Sequence, residues 1–212
     1  MTKRRRLPRG GRFFSGEDKA VKNDFLQRLE ARPVIAAVRD PKDLEAAIRS
    51  RAAAVFLLGG SLMTLPGSVE RAKASGKYVF VHLDLCDGLG KDAAAVDWIA
   101  LAVRPDGLIS TRQQLLRRAR EHGLMTIQRL FLMDSESLRS GVKLISSAPP
   151  DLVEVLPGLV PKAIRALRER LGLPVIAGGM VTERADVEQA LAAGAAGVSS
   201  SVRELWSMEE KG

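Results

Sequence analysis

From Pro33 onward the chain alternates between two hydrophobic patterns. Short unbroken apolar runs recur, and after each one the apolar positions return every three or four residues. Residues 33–39 (PVIAAVR) read as a strand, and residues 40–50 (DPKDLEAAIRS) read as a helix. Asp40 stands at its N-cap and Pro41 at its first position, where a missing N–H costs nothing. Further strands are predicted in 53–58 (AAVFLL), 78–85 (YVFVHLDL), 106–110 (DGLIS), 124–131 (LMTIQRLF), 151–156 (DLVEVL), 174–178 (PVIAG) and 197–201 (GVSSS). Helices are predicted over 68–76, 91–103, 111–123, 135–147 and 161–171, with an Ala-rich helical pattern after 179 and a short helix near 202–206. Thr111 and Gln114 fit a capping box at the start of the 111–123 helix.

Eight strand–helix alternations imply a parallel sheet, and eight is the number at which such a sheet closes into a (β/α)₈ barrel. An α/β, TIM-barrel-like single domain is therefore expected. A doubly wound open sheet is the alternative, weakened by the absence of a GxGxxG after the first strand. Upstream, Phe25, Leu26 and Leu29 form one apolar stripe of a helix over 24–30. The division expected is a basic leader over 1–24 and the barrel over 25–208.

Composition narrows the class. Of 212 residues 46% are hydrophobic, enough for a sizeable core. No apolar run approaches the length of a membrane span, and no apolar stretch follows the basic N-terminus as in a secretory signal. Cys86 is the single cysteine and is expected to be a small packing residue; one unpaired thiol fits a reducing cytoplasm. The net charge is +8. Residues 1–32 carry ten Lys/Arg against four Asp/Glu, leaving a nearly balanced 23 against 21 for the remainder. The run 3–12 (KRRRLPRGGR) has no acidic residue, so Arg4, Arg5, Arg6, Arg9 and Arg12 are candidates for binding a polyanion through counterion release. Arg117, Arg118 and Arg120 form a second basic cluster, for which a solvated helix face is the competing reading.

Two successive strands near the C-terminus finish in Gly178–Gly179 and in Ser199, Ser200 and Ser201. In barrels of this kind ligands bind at the carboxyl ends of the strands, and the loops after strands seven and eight often cradle a phosphate. Glycine lets backbone N–H groups approach an anion, and serine adds hydroxyl donors where a helix begins. The plainer alternative is a turn plus a Ser201–Glu204 capping box. Alternation along the strands puts His82 and Asp84, Gln128, and Glu154 on faces that can point inward. Carboxylates accept hydrogen bonds from hydroxyls but repel phosphate, so the mixture fits a small polyol phosphate. Arg39, Arg112 and Arg129, near strand ends, are candidate sources of positive charge. Neither a metal-ligand cluster nor a catalytic cluster is evident; His122 ends a helix, where a positive side chain is ordinarily favourable.

The motifs HLDLCDGLGKD, GLISTR, IQRLFLMDS, VEVLPG, PVIAGG and GVSSSVRELW occur in the order found in the glycerol uptake operon antiterminator regulatory family, which the chain resembles from about Pro33 to Trp206. The resemblance implies a regulator, not an enzyme, that binds sn-glycerol-3-phosphate as effector, without cofactor, and then leader mRNA, preventing premature termination. It implies phosphate binding by Gly178, Gly179, Ser200 and Ser201, and places Asp84, Gln128, Glu154 and Arg129 at the mouth. The Arg-rich leader lies outside the matched pattern, and the match at 57–67 (LLGGSLMTLPG) is loose. No RNP motif is present and aromatic residues are 4% of the chain, so RNA contact is expected through arginines. A barrel enzyme acting on a small phosphorylated substrate, and an RNA binder needing no effector, are the alternatives. A homo-oligomer is left open.

Overall fold

The computed structural model describes residues 16–208. Eight strands pair in parallel and in sequence order: β1 (Val34–Val38), β2 (Ala54–Leu57), β3 (Tyr78–His82), β4 (Gly107–Ser110), β5 (Met125–Phe131), β6 (Leu152–Leu156), β7 (Val175–Gly178) and β8 (Gly197–Ser200). β8 returns to β1, pairing Ser199 with Ile35, and closes the barrel. The open-sheet alternative is thereby excluded.

Strand alternation separates two cores. Ile35, Phe56, Phe80, Ile109, Ile127 and Ile176 fill the interior. Their neighbours Ala36, Val55, Val81, Leu108, Val155 and Val198 pack outward under the helices. A strand buried on both faces tends to a continuous apolar run, as β1 and β2 show. The helical layer comprises α2 (Leu44–Arg49), α3 (Leu65–Ala74), α4 (Ala93–Trp98), α5 (Gln113–Glu121), α6 (Ser135–Ser147), α7 (Pro161–Leu171) and α8 (Arg184–Ala192). The eighth unit ends in a 3₁₀ turn, Arg203–Ser207, where buried Trp206 donates from Nε1 to the Ser200 carbonyl at 2.7 Å. Cys86 packs in the outer core, where burial pushes its thiol pKa up. No helix among the described residues is long and apolar enough to cross a membrane.

Preceding β1, α1 runs Gly16–Ala31, so the boundary expected at residue 24 falls inside this helix. Phe25 and Leu29 are fully buried in the interior core. The Phe25 ring lies 5.1 Å from Tyr78 and 5.0 Å from Phe80, centroid to centroid. Tyr78 donates its hydroxyl to Asp24 at 2.6 Å, and Lys22 lies 3.6 Å from Asp151. Tyr78 opens β3 and Asp151 precedes β6, so α1 crosses the N-terminal end of the barrel and plugs it.

Local differences from the sequence reading have simple causes. The helix after β1 opens with a 3₁₀ turn at Pro41–Asp43, although Asp40 caps it as expected by accepting from Lys42 N. β3 stops at His82, and Leu83–Leu85 form a 3₁₀ turn, so Asp84 is not a strand residue. The Thr111–Gln114 capping box does not form: α5 starts at Gln113, and Ser110 Oγ accepts from Arg112 N in its place. Nor does Ser201 cap the last turn, which starts at Arg203 after Val202.

Candidate functional site

The interior faces of β5 to β8 meet in a polar network at the C-terminal end of the barrel. Arg129 on β5 and Glu154 on β6 are paired in register, and Gly178 on β7 is paired with Ser199 on β8. Arg129 donates from Nε to Glu154 Oε2 at 2.7 Å, and Ser199 donates from Oγ to Glu154 Oε1 at 2.7 Å. Glu154 is 1% exposed and Arg129 6%. Burying two charges is costly unless their remaining hydrogen-bonding capacity is also met, and Ser199 supplies the second bond to the carboxylate. Among the described residues the guanidinium makes no other hydrogen bond, so most of its donor capacity is uncommitted.

Gly178 belongs to this network in a way the sequence did not announce. A Cβ there would stand 2.5 Å from Ser199 Oγ and 2.7 Å from Glu154 Oε1. Glycine is required at this position by two neighbouring side chains. Gly179 (φ +74°) and Met180 (φ +62°) follow in the left-handed region, and Met180 is an exposed residue the sequence reading missed. Among the described residues neither Met180 N–H nor Ser201 N–H has a hydrogen-bond acceptor. The serines differ. Ser199 faces inward and binds Glu154, whereas Ser200 donates to the Val181 carbonyl and accepts from Val202 N, so its hydroxyl holds the loops together. Ser201 is exposed at the end of β8.

Opposite them, Asp84 ties the ends of β3 and β4 together. Its Oδ2 accepts from Ser110 Oγ and Thr111 N, both at 2.8 Å, and its Oδ1 lies 3.4 Å from Arg112 Nε. His82, on the interior face with Phe80, is 2% exposed and its Nδ1 stands 3.8 Å from Asp84 Oδ2. Burial and the positive charge of Arg129 push its pKa down to about 3, against the opposing pull of Asp84, so the imidazole is neutral.

The remaining candidates are placed as follows. Gln128 does not line the mouth: Met125, Ile127 and Arg129 take the interior positions of β5, and Gln128, between them, turns outward. Its Nε2 donates to the Thr111 carbonyl at 2.9 Å, a structural bond. The inward reading failed because polarity was taken as the sign of the interior face, and it was Arg129 that carried it. Arg39 is exposed just after β1, and Arg112 is exposed beside Asp84. In the α5 cluster, Arg118 binds both oxygens of Asp97 and also Glu121, and Arg120 donates to the Pro149 carbonyl and Thr126 Oγ1. Arg117 is exposed and reaches Gln113. His122 does not simply end its helix but binds Asp97 at 2.7 Å. Arg4, Arg5, Arg6, Arg9 and Arg12 lie outside the described residues.

Comparison with known proteins places the chain in a family. The profile of the family described as "Glycerol-3-phosphate responsive antiterminator" matches residues 34–206. The chain is 36% identical over 187 residues to the Escherichia coli (strain K12) "Uncharacterized protein YgcP", covering 88% of this chain and 98% of that one. Among solved structures it is similar to the glycerol uptake operon antiterminator regulatory protein of Listeria monocytogenes, with a TM-score of 0.79 and 36% identity over 82% of this chain and 95% of that one. A glycerol uptake operon antiterminator-related protein of Thermotoga maritima follows at TM-score 0.75 and 31% identity, covering 84% and 99%. The deoxyribose phosphate aldolase of Aeropyrum pernix, at 16% identity and TM-score 0.64 over 91% and 96%, shares the fold alone.

Proposed function

Because the chain belongs to the family of glycerol-3-phosphate responsive antiterminators, we propose that it binds sn-glycerol-3-phosphate at the C-terminal mouth of the barrel and, in that state, leader mRNA. The observation that carries this reading is the guanidinium of buried Arg129, held by a single hydrogen bond to Glu154 with its other donors uncommitted, beside strand ends made of glycine and serine backbone. Backbone N–H groups of Gly179, Met180 and Ser201 receive the phosphate, and Arg129 supplies charge from the interior. Arg39 and Arg112 add positive charge from the rim, and Asp84 accepts from the polyol.

Glu154 is a positioning group in this scheme. Both of its oxygens are engaged, by Arg129 and Ser199, so it holds the guanidinium and does not serve as a base. A barrel enzyme with Glu154 as its acid–base group is disfavoured on the same ground. For the effector to promote RNA binding it must favour the RNA-competent state by differential affinity. The protein acts in the cytoplasm, where its transcript is made. The N-terminal arginines are the proposed RNA contacts; of the α5 cluster, Arg117 remains the best candidate, since Arg118 and Arg120 are held by the fold.

Titration calorimetry tests the reading. Saturable binding of glycerol-3-phosphate that neither glycerol nor inorganic phosphate reproduces, and that Gly179→Asp abolishes, is expected. A mobility-shift assay with leader RNA should then show affinity rising with the effector present. Absence of binding to the wild-type protein overturns the effector reading.

A further inference from the structure

The interior end of the site contains buried polar atoms without hydrogen-bond partners. Both ring nitrogens of His82 and Oδ1 of Asp84 are buried and make no hydrogen bond, although Oδ1 has an ion-pair contact at 3.4 Å with Nε of the exposed Arg112. His82 Nδ1 and Asp84 Oδ2 are 3.8 Å apart, so these atoms form one group. Leaving such atoms unsatisfied is costly, and nearly all buried polar atoms in folded proteins have partners. A core histidine held for packing alone ordinarily donates to at least one carbonyl. This one does not.

The chemistry of the group is specific. A neutral imidazole offers one donor and one acceptor. A hydroxyl is likewise donor and acceptor, whereas a phosphate dianion only accepts and is served better by guanidinium and backbone N–H. We propose that the unpartnered imidazole of His82, together with Asp84 Oδ1, is the part of the ligand site that recognises hydroxyl groups and so distinguishes a hydroxylated phosphate ester from a bare alkyl phosphate. The inference rests on the glycerol-3-phosphate reading above and assigns its polyol end. The charged groups around His82 are Asp84, Arg129 and Lys91; Asp84 Oδ2 is committed to Ser110 and Thr111, and Lys91 donates to the Leu83 and Cys86 carbonyls. Asp84 Oδ1 faces the exposed Arg112 Nε at 3.4 Å without a hydrogen bond, so the imidazole and Oδ1 remain the groups in this corner able to take a hydroxyl.

The test compares glycerol-3-phosphate with n-propyl phosphate, which keeps the ester and lacks both hydroxyls, on the wild-type protein and on His82→Phe and His82→Gln. The wild-type protein should prefer glycerol-3-phosphate. His82→Phe should weaken it about tenfold or more while leaving n-propyl phosphate unchanged, and His82→Gln, which keeps a donor and an acceptor, should fall between. Equal weakening of both ligands, or no weakening of either, overturns the inference while leaving the effector reading intact. If neither ligand binds the wild-type protein, both fail together. Should His82→Phe not fold, the ¹⁵N resonances of the His82 ring in the wild-type protein decide: they should move with glycerol-3-phosphate and not with n-propyl phosphate, and unmoved resonances overturn the proposal.

Discussion

Gly178 and Ser199 stand side by side on neighbouring strands, so close that a Cβ on the first would lie 2.5 Å from the hydroxyl of the second. The same Cβ would press on Glu154, which that hydroxyl holds. Gly178→Ala should therefore break the Ser199–Glu154 bond and cost about 1–3 kcal/mol, the usual range for overpacking. Urea denaturation measures the loss, and calorimetry should show weaker effector binding. A fully stable, fully binding variant would mean that the strand ends yield more readily than the packing indicates.

Removing one charge of the Arg129–Glu154 pair leaves the other buried and alone. Glu154→Gln should destabilise by about 3–5 kcal/mol. Replacing both residues with leucine should recover much of that stability, because two charges no longer need solvation, and yet abolish effector binding. Chemical denaturation paired with calorimetry separates the two effects.

His82 gives a pH signature. Its pKa is 6.5 when unfolded and about 3 when folded, so between those values the unfolded chain binds the proton and the folded one does not. The contribution is complete above pH 6.5 and is lost as pH falls toward 3, at about 1.4 kcal/mol per pH unit. Denaturation series across about pH 4–7 should show a shallower slope for His82→Gln than for the wild type.

The plug helix can be tested at its anchor. Phe25 is fully buried against Tyr78 and Phe80, and Phe25→Ala should cost about 3–5 kcal/mol. Differential scanning calorimetry checks this. A near-neutral result would show that α1 contributes little to the barrel.

Deleting residues 1–12 removes Lys3, Arg4, Arg5, Arg6, Arg9 and Arg12. The slope of log affinity for RNA against log salt should then flatten by about 0.7 for each phosphate these side chains had neutralised. Effector binding should be unchanged, since its proposed residues are elsewhere. An unaltered slope would shift the RNA assignment to Arg117 and the other exposed arginines.

Much of this architecture was readable from the chain. Most strands appeared as apolar runs because a closed parallel sheet is buried on both faces, and the helix boundaries at 135–147 and 161–171 match the structure residue for residue. What escaped the sequence was facing and partnership. Gln128 and Arg129 are adjacent and both polar, so composition does not say which points inward; the side taken by Ile127 decides it. The reason for glycine at 178 lies in side chains 24 residues before and 21 after it, beyond any local pattern. Thr111 fitted a cap on paper, but its N–H and hydroxyl both go to Asp84 on the neighbouring turn. Similarly, α1 extends well upstream of its apolar stripe because only one stretch of it meets the barrel.

The seating of α1 has a consequence for synthesis. Leu29 packs against the spot where β8 begins, close enough that a Cβ on Gly197 would meet it at 3.4 Å. Phe25 and Leu29 therefore leave the ribosome long before the last wall of their seat has been translated. This apolar surface, made before any strand of the barrel, is among the last to be covered, and chain truncations that stop short of Gly197 should leave it open to chaperones and proteases.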